Sequence, residues 1–160
     1  MSEEYGPSGN TELMHSFEQY GPLLEKMIKD SNSVAALEGL QVMHTYVRLA
    51  LEIKAVTFAT HNFLLEKVPT HKPKERDACL KIFLVMIERD QASFLYPELI
   101  KRMKSSQAKI ASFAMHVINE NFKTGSKKLE ELSLRNVFRM IQDNLSQKNK
   151  ELRDLAMQIL

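Results

Sequence analysis

Residues 63 to 80 read Phe-Leu-Leu-Glu-Lys-Val-Pro-Thr-His-Lys-Pro-Lys-Glu-Arg-Asp-Ala-Cys-Leu, and this stretch has the form of a corner between two helices. Phe63, Leu64 and Leu65 end one amphipathic run. From Ala78 the apolar residues Leu80, Ile82, Phe83, Leu84, Met86 and Ile87 begin another. Pro69 and Pro73 bracket the break, because each lacks a backbone N–H and pushes the residue before it out of the helical region. The corner is basic, carrying Lys72, Lys74 and Arg76. Corners of this kind recurring at a regular interval would lie along one edge of a stacked array, and that edge would be the candidate working surface.

Working outward, the pattern on both sides is helical. Towards the N-terminus, Ile53 to Leu65 reads as helix. Before it Val34, Leu37, Leu40, Val42, Met43, Tyr46, Val47, Ala50 and Leu51 recur at threes and fours, with Ser33 placed to cap them. Asp30 to Ser33 ends a shorter helix through Leu23, Leu24, Met27 and Ile28, for which Pro22 suits the first turn. Thr11 is placed to cap a short run through Met14 and Phe17, and residues 1–10, with Gly6, Pro7 and Gly9, read as a flexible lead-in. Towards the C-terminus the apolar helix runs from Arg76 to Glu88. Asp90 to Ser93 is expected as a turn, and Pro97 is expected to open a helix over Glu98 to Met103. A break at Lys104-Ser105-Ser106 leads into Ala108, Ile110, Ala111, Phe113, Ala114, Val117 and Ile118. Lys123 to Ser126 is a loop in which Gly125 is free to take a positive φ. Leu132 to Leu145 is helix, Ser146 to Asn149 breaks it, and Glu151 to Leu160 begins a last helix that the chain end cuts short. Nothing alternates with period two, so no strand is expected.

An internal echo organises these helices. Leu23-Leu24-Glu25-Lys26 returns as Leu64-Leu65-Glu66-Lys67, more weakly as Leu99-Ile100-Lys101-Arg102, and as Val137-Phe138-Arg139-Met140. A polar corner follows each copy. Two helices per unit and a spacing near 40 residues point to HEAT or armadillo repeats. The expected fold is therefore an all-α solenoid of helical hairpins over residues 11–160, with Leu80, Ile82, Phe83, Leu84, Val85, Met86 and Ile87 as its central packing layer. It should contain no sheet and no deep central pocket.

Among helical repeats, the fourth corner, Lys148-Asn149-Lys150-Glu151-Leu152-Arg153, resembles the turn common to HEAT repeats. Taken with Lys72-Pro73-Lys74 and Asp30-Ser31-Asn32-Ser33-Val34, the order of turns resembles a TOG domain, the HEAT-repeat module of microtubule polymerases and CLASP-type regulators. The resemblance implies that the turns inside each repeat line one narrow edge that binds the αβ-tubulin dimer. Four units are readable where the family has about six, so either the first repeat is missing or divergent, as in a partial or truncated TOG-like domain, or the chain is a relative that has lost tubulin contacts. The family usually carries a Trp in the turn of its first repeat, whereas this chain has no Trp. On the resemblance, the partner-binding residues are Asn32, Lys72, Lys74, Arg76, Lys104, Lys109, Lys148, Lys150 and Arg153. Read by themselves, those charges either approach an acidic protein surface or simply solvate the corners.

Composition narrows the remaining classes. The formal charge is +2, from 22 basic and 20 acidic residues, too near balance for nucleic-acid binding by bulk electrostatics. RNA recognition would need clustered arginines with stacking aromatics, and Tyr46, Tyr96 and the phenylalanines read as internal. The single cysteine, Cys79, excludes an internal disulfide and reads as a small buried hydrophobe. No apolar run approaches the roughly 20 residues of a membrane span. Of the five histidines, none pairs at metal-ligand spacing, and His44 and His116 read as tucked against the core. Met27, Met43, Met86, Met103, Met115 and Met140 fall on apolar helical positions and read as core. A Cys79–His71 nucleophile would lack an orienting third group and an oxyanion loop, and no glycines form a phosphate loop. The expectation is a non-catalytic module without cofactor or metal, a monomer, cytoplasmic and cytoskeleton-associated, with αβ-tubulin as partner and no nucleic acid or membrane. The alternative is a HEAT-repeat protein scaffold that does not bind tubulin.

Overall fold

The computed structural model describes residues 20–50, 56–146 and 148–159. The expected lead-in, the helix through Met14 and Phe17, and the start of the Ile53 run lie outside the described residues. Within them the helices are α1 (Gly21–Ile28), α2 (Ser33–Leu49), α3 (Phe58–Glu66), α4 (Pro73–Met86), α5 (Ala92–Arg102), α6 (Ala108–Thr124), α7 (Leu134–Leu145) and α8 (Lys150–Ile159), with no strand among the described residues.

These helices form four successive hairpins in two layers. One layer stacks α2 on α4, α4 on α6 and α6 on α8. The other carries α1, α3, α5 and α7. Its neighbours are joined by Thr60 Oγ1 donating to Glu25 at 3.2 Å, by Arg102 Nη2 donating to Asn62 Oδ1 at 2.9 Å, and by Asn144 Nδ2 donating to the Met103 carbonyl at 3.3 Å. The repeat interval is visible in the bonds themselves. Lys72–Ser33, Lys109–Thr70 and Asn119–Gln158 are each 39 residues apart, Arg102–Asn62 is 40, Asn144–Met103 is 41 and Arg89–Val47 is 42. Equivalent positions of neighbouring units touch, as nearest-neighbour stacking requires.

The core follows the helical pattern of α4. Ile82, Phe83, Met86 and Ile87 are fully buried, and Leu80, Leu84 and Val85 are half-buried along its flank. Phe83 meets Phe113 of α6 edge to face, with centroids 5.9 Å apart. Cys79 is buried and donates to the Leu64 carbonyl at 3.4 Å, pinning α4 to α3, and burial pushes its thiol pKa well up. Gly39 marks a different kind of contact. A Cβ there would come within 2.7 Å of the Met27 backbone carbon, so α1 and α2 approach closely only because position 39 has no side chain.

Several expectations are corrected. The turn at Asp90 to Ser93 is helical, because the chain passes from α4 through a π-helical segment, Ile87–Gln91, directly into α5. Pro97 lies inside α5 instead of opening it. Its missing N–H leaves the Ser93 carbonyl without its usual intrahelical donor, and both residues are exposed, so water can take that role. The residue before α2 that caps it is Asn32, not Ser33; Asn32 Oδ1 accepts from the Val34 and Ala35 amides at 2.9 and 3.4 Å. A 3-10 turn, Lys127–Glu131, precedes α7 where the sequence suggested only loop and helix. Val34 and Val42 are exposed, as are Phe94 and Phe138, so periodicity overstated the apolar face.

Among the histidines, His44 is half-buried as expected but His116 is exposed. Among the described histidines the buried one is His61. Its Nδ1 donates to the Thr57 carbonyl at 2.9 Å, its ring meets Phe94 edge to face, and its Nε2 is buried without a hydrogen-bond partner. Burial lowers its pKa below 6.5, the Thr57 bond opposing this. A depressed folded-state pKa means that the unfolded chain binds the proton more tightly. Stability is then full above the unfolded value of about 6.5 and falls as pH drops through the folded pKa. Urea unfolding at pH 7.5 and pH 5.5 should show that loss, and His61→Phe should remove part of it. An unchanged pH slope in the variant would show that His61 is not responsible.

Candidate functional site

The four turns inside the hairpins are built by local chemistry. In the first, between α1 and α2, Asp30 Oδ1 accepts from the Asn32 amide at 2.8 Å, and Asn32 then caps α2. In the second, Val68–Thr70 forms a 3-10 turn and Pro73 opens α4, with its fixed φ and absent donor suited to that place. Glu75 folds back to accept from the Lys72 amide at 3.2 Å, so the buried carboxylate faces the turn's backbone. In the third, Ser105 Oγ accepts from the Gln107 amide at 3.2 Å. In the fourth, Asn149 Oδ1 accepts from the Leu152 amide at 3.4 Å, and Arg153 Nη1 returns to the Lys148 carbonyl at 2.9 Å.

Contacts between the turns place them side by side. Lys72 Nζ donates to Ser33 Oγ at 2.9 Å, joining second turn to first. Lys109 Nζ donates to the Thr70 carbonyl at 3.3 Å, joining third to second. Third and fourth jointly line a groove of about 850 Å³, with Lys104, Ser105 and Ser106 on one side and Ser146, Lys148 and Asn149 on the other. Each turn immediately precedes the N-terminus of α2, α4, α6 or α8. The positive ends of four helices therefore add to the lysines along this edge.

All nine sequence-chosen residues lie in these turns or in the first turn of the helix that follows, but they differ in what they do there. Asn32 is a cap. Lys72, Lys109 and Arg153 tie turns together or hold their own turn in place. Arg76 is half-buried, with a buried Nε that has no hydrogen-bond partner. Lys74, Lys104, Lys148 and Lys150 are exposed, and none of their ammonium groups has a partner among the described residues. Lys29, just after α1, is engaged by Glu25 and sits 5.6 Å from the Phe63 ring centroid.

Sequence reasoning missed the residues that hold the edge from behind. Arg102 is buried, donates to Asn62 Oδ1 and to Glu66 Oε1 at 2.9 and 3.0 Å, and pairs with Glu98, so it fixes α5 against α3 just before the third turn. Asn144, also buried, ties α7 to the Met103 carbonyl at the start of that turn. Arg102 stands in the third copy of the echoed motif, and adding the repeat interval to Asn62 leads to it. Among the described residues no three His, Cys, Asp or Glu side chains gather as a metal site would require, and no helix is long and apolar enough to cross a membrane.

The family model described as XMAP215/Dis1/CLASP, TOG domain, matches residues 3–160. That match spans every hairpin and all four turns of the basic edge. The chain belongs to the XMAP215/Dis1/CLASP family of TOG domains, helical-repeat modules of proteins that regulate microtubules.

Proposed function

We propose that this chain is a non-catalytic module that binds αβ-tubulin along its hairpin-turn edge and thereby regulates microtubule dynamics. The observation that carries the reading is the set Lys74, Lys104, Lys148 and Lys150, without partners among the described residues and carried on the second, third and fourth turns, of which the second is tied to the first and the third to the second, each backed by a helix N-terminus. Lysines fixed on a stiff edge meet an acidic protein surface with less loss of freedom than lysines on mobile loops. They also steer its approach. The family supplies tubulin as that acidic partner, and a cytoskeletal, cytoplasmic setting goes with it.

Salt dependence tests the reading on the unaltered protein. The Debye length is about 8 Å at physiological ionic strength and lengthens as salt is removed. Titration against soluble αβ-tubulin should give saturable binding that weakens about tenfold or more between roughly 0.05 M and 0.3 M salt, mainly through a slower on-rate. Binding with no salt dependence would remove the basic edge from the interface and favour the helix faces of a HEAT-type scaffold.

A further inference from the structure

We propose that the groove between α2 and α4 is a docking site for an acidic helix of a further partner, one carrying two carboxylates two turns apart with an apolar side chain between them. The groove runs back from the second turn along the helix layer and holds about 440 Å³. Gln41, His44 and Thr45 form its α2 wall, and Lys74, Asp77 and Lys81 its α4 wall. Both sets recur at threes and fours, so each is one stripe of its helix. Leu37 and Ala78 complete the lining, and both are half-buried, which leaves apolar atoms open to an occupant.

Charge decides what that occupant is. Lys74 and Lys81 are exposed and have no partner among the described residues, Asp77 included. Arg48, also exposed and without a partner, stands close to the groove. Partial burial holds the His44 pKa below 6.5, and the charges of Arg48 and Lys81 push it the same way. Three cations against Asp77 leave the groove net positive. The one acidic residue of α2, Glu38, lines the neighbouring groove towards α1 instead. Lys74 and Lys81 are seven residues apart, about 10 Å along α4. A helix laid along the groove meets that spacing with carboxylates at i and i+7, and its residue at i+3 or i+4 comes down over Leu37 and Ala78. Asp77 lies between the two lysines and repels a third carboxylate at that level. A basic helix would meet like charge at both ends, and an uncharged one would leave both lysines unanswered. Lys81 and Arg48 belong to none of the four turns, so the site is separate from the tubulin edge.

A peptide of defined charge tests the proposal by NMR on the whole chain. The probe is an alanine-based helical peptide of about 18 residues, with two glutamates seven positions apart and a leucine three after the first. Its saturable amide shifts should fall on α2 and α4, and the same peptide with glutamine for glutamate should bind about tenfold or more weaker. Arg48→Glu with Lys81→Glu should lose the acidic peptide by a similar factor, and Arg48→Gln with Lys81→Gln by less; both are first checked for a parent-like circular dichroism spectrum and thermal midpoint. Lys104→Gln with Lys148→Gln, which alters only the turn edge, should bind the peptide as the parent does. Absence of saturable shifts, shifts centred on the turns, or folded Arg48/Lys81 variants that bind as tightly as the parent would each overturn the site. So would a single-stranded oligonucleotide that outcompetes the peptide for the same signals, which would make the groove a nucleic-acid surface.

Discussion

Replacing Phe83 with alanine lowers the free energy of unfolding by about 3–5 kcal/mol. Phe83 is fully buried on α4, and its ring meets Phe113 across the α4–α6 interface at 5.9 Å. Removing it takes away both the transfer energy of a phenyl group and the contacts of the atoms around it, because a packed stack of helices closes only part of the cavity. In a solenoid each hairpin is held by its neighbours, so loss at a central interface weakens both halves of the array. Against a total stability of about 5–15 kcal/mol the variant would stand near its unfolding threshold. The matched comparison is Phe138→Ala. That ring is exposed on α7, and its loss should change stability by less than about 0.5 kcal/mol. Urea unfolding of the two variants measures the difference directly. Equal effects would mean that α4 does not supply the central layer.

The helices with strong apolar periodicity and proline-bounded corners were legible in the sequence. Pro69 and Pro73 marked the second turn, and Gly125, at φ 63°, closes α6 as its freedom suggested. The α4–α5 junction was not legible. Asp90 and Gln91 look like turn residues, yet a π-helical segment keeps the chain helical there, and Pro97 is tolerated mid-helix because its neighbourhood is open to water. Exposed Val34, Val42 and Phe138 sit where a one-dimensional pattern cannot tell a buried stripe from its edge. His61 was hidden for a similar reason, since polar Thr60 and Asn62 beside it disguised a core position.

For the edge, the sequence located the turns but not the division of labour within them. Nothing in the residue type separates Lys72, which bonds Ser33, from Lys74, which faces solvent. That distinction arises from how one hairpin stacks on the next. Arg102 and Asn144 were invisible as supports because their partners lie 40 and 41 residues away. Only the repeat interval, applied residue by residue, would have brought them together.

Exchanging Lys72, Lys74, Lys148 and Lys150 together for glutamate should abolish most tubulin binding while leaving the protein folded. Each exchange replaces attraction to an acidic surface with repulsion, and opposed like charges across an interface cost several kcal/mol. At low salt the expected loss in affinity is about 100-fold or more. Stability should change little. All four residues are exposed, and among them only Lys72 gives up a bond, that to Ser33 Oγ, a surface contact worth under about 1 kcal/mol. Lys123→Glu with Lys127→Glu is the counterpart at the other end of α6, away from the turns. It alters charge without touching the edge.

The central claim, that the hairpin-turn edge holds αβ-tubulin, is tested most directly by titrating soluble tubulin with parent, edge-reversed and Lys123/Lys127-reversed proteins side by side. All three should first be shown to be folded by circular dichroism and thermal unfolding. Parent and Lys123/Lys127-reversed proteins should then bind alike and the edge-reversed protein should fail to bind, whereas a folded edge-reversed protein that binds as tightly as the parent would contradict the account.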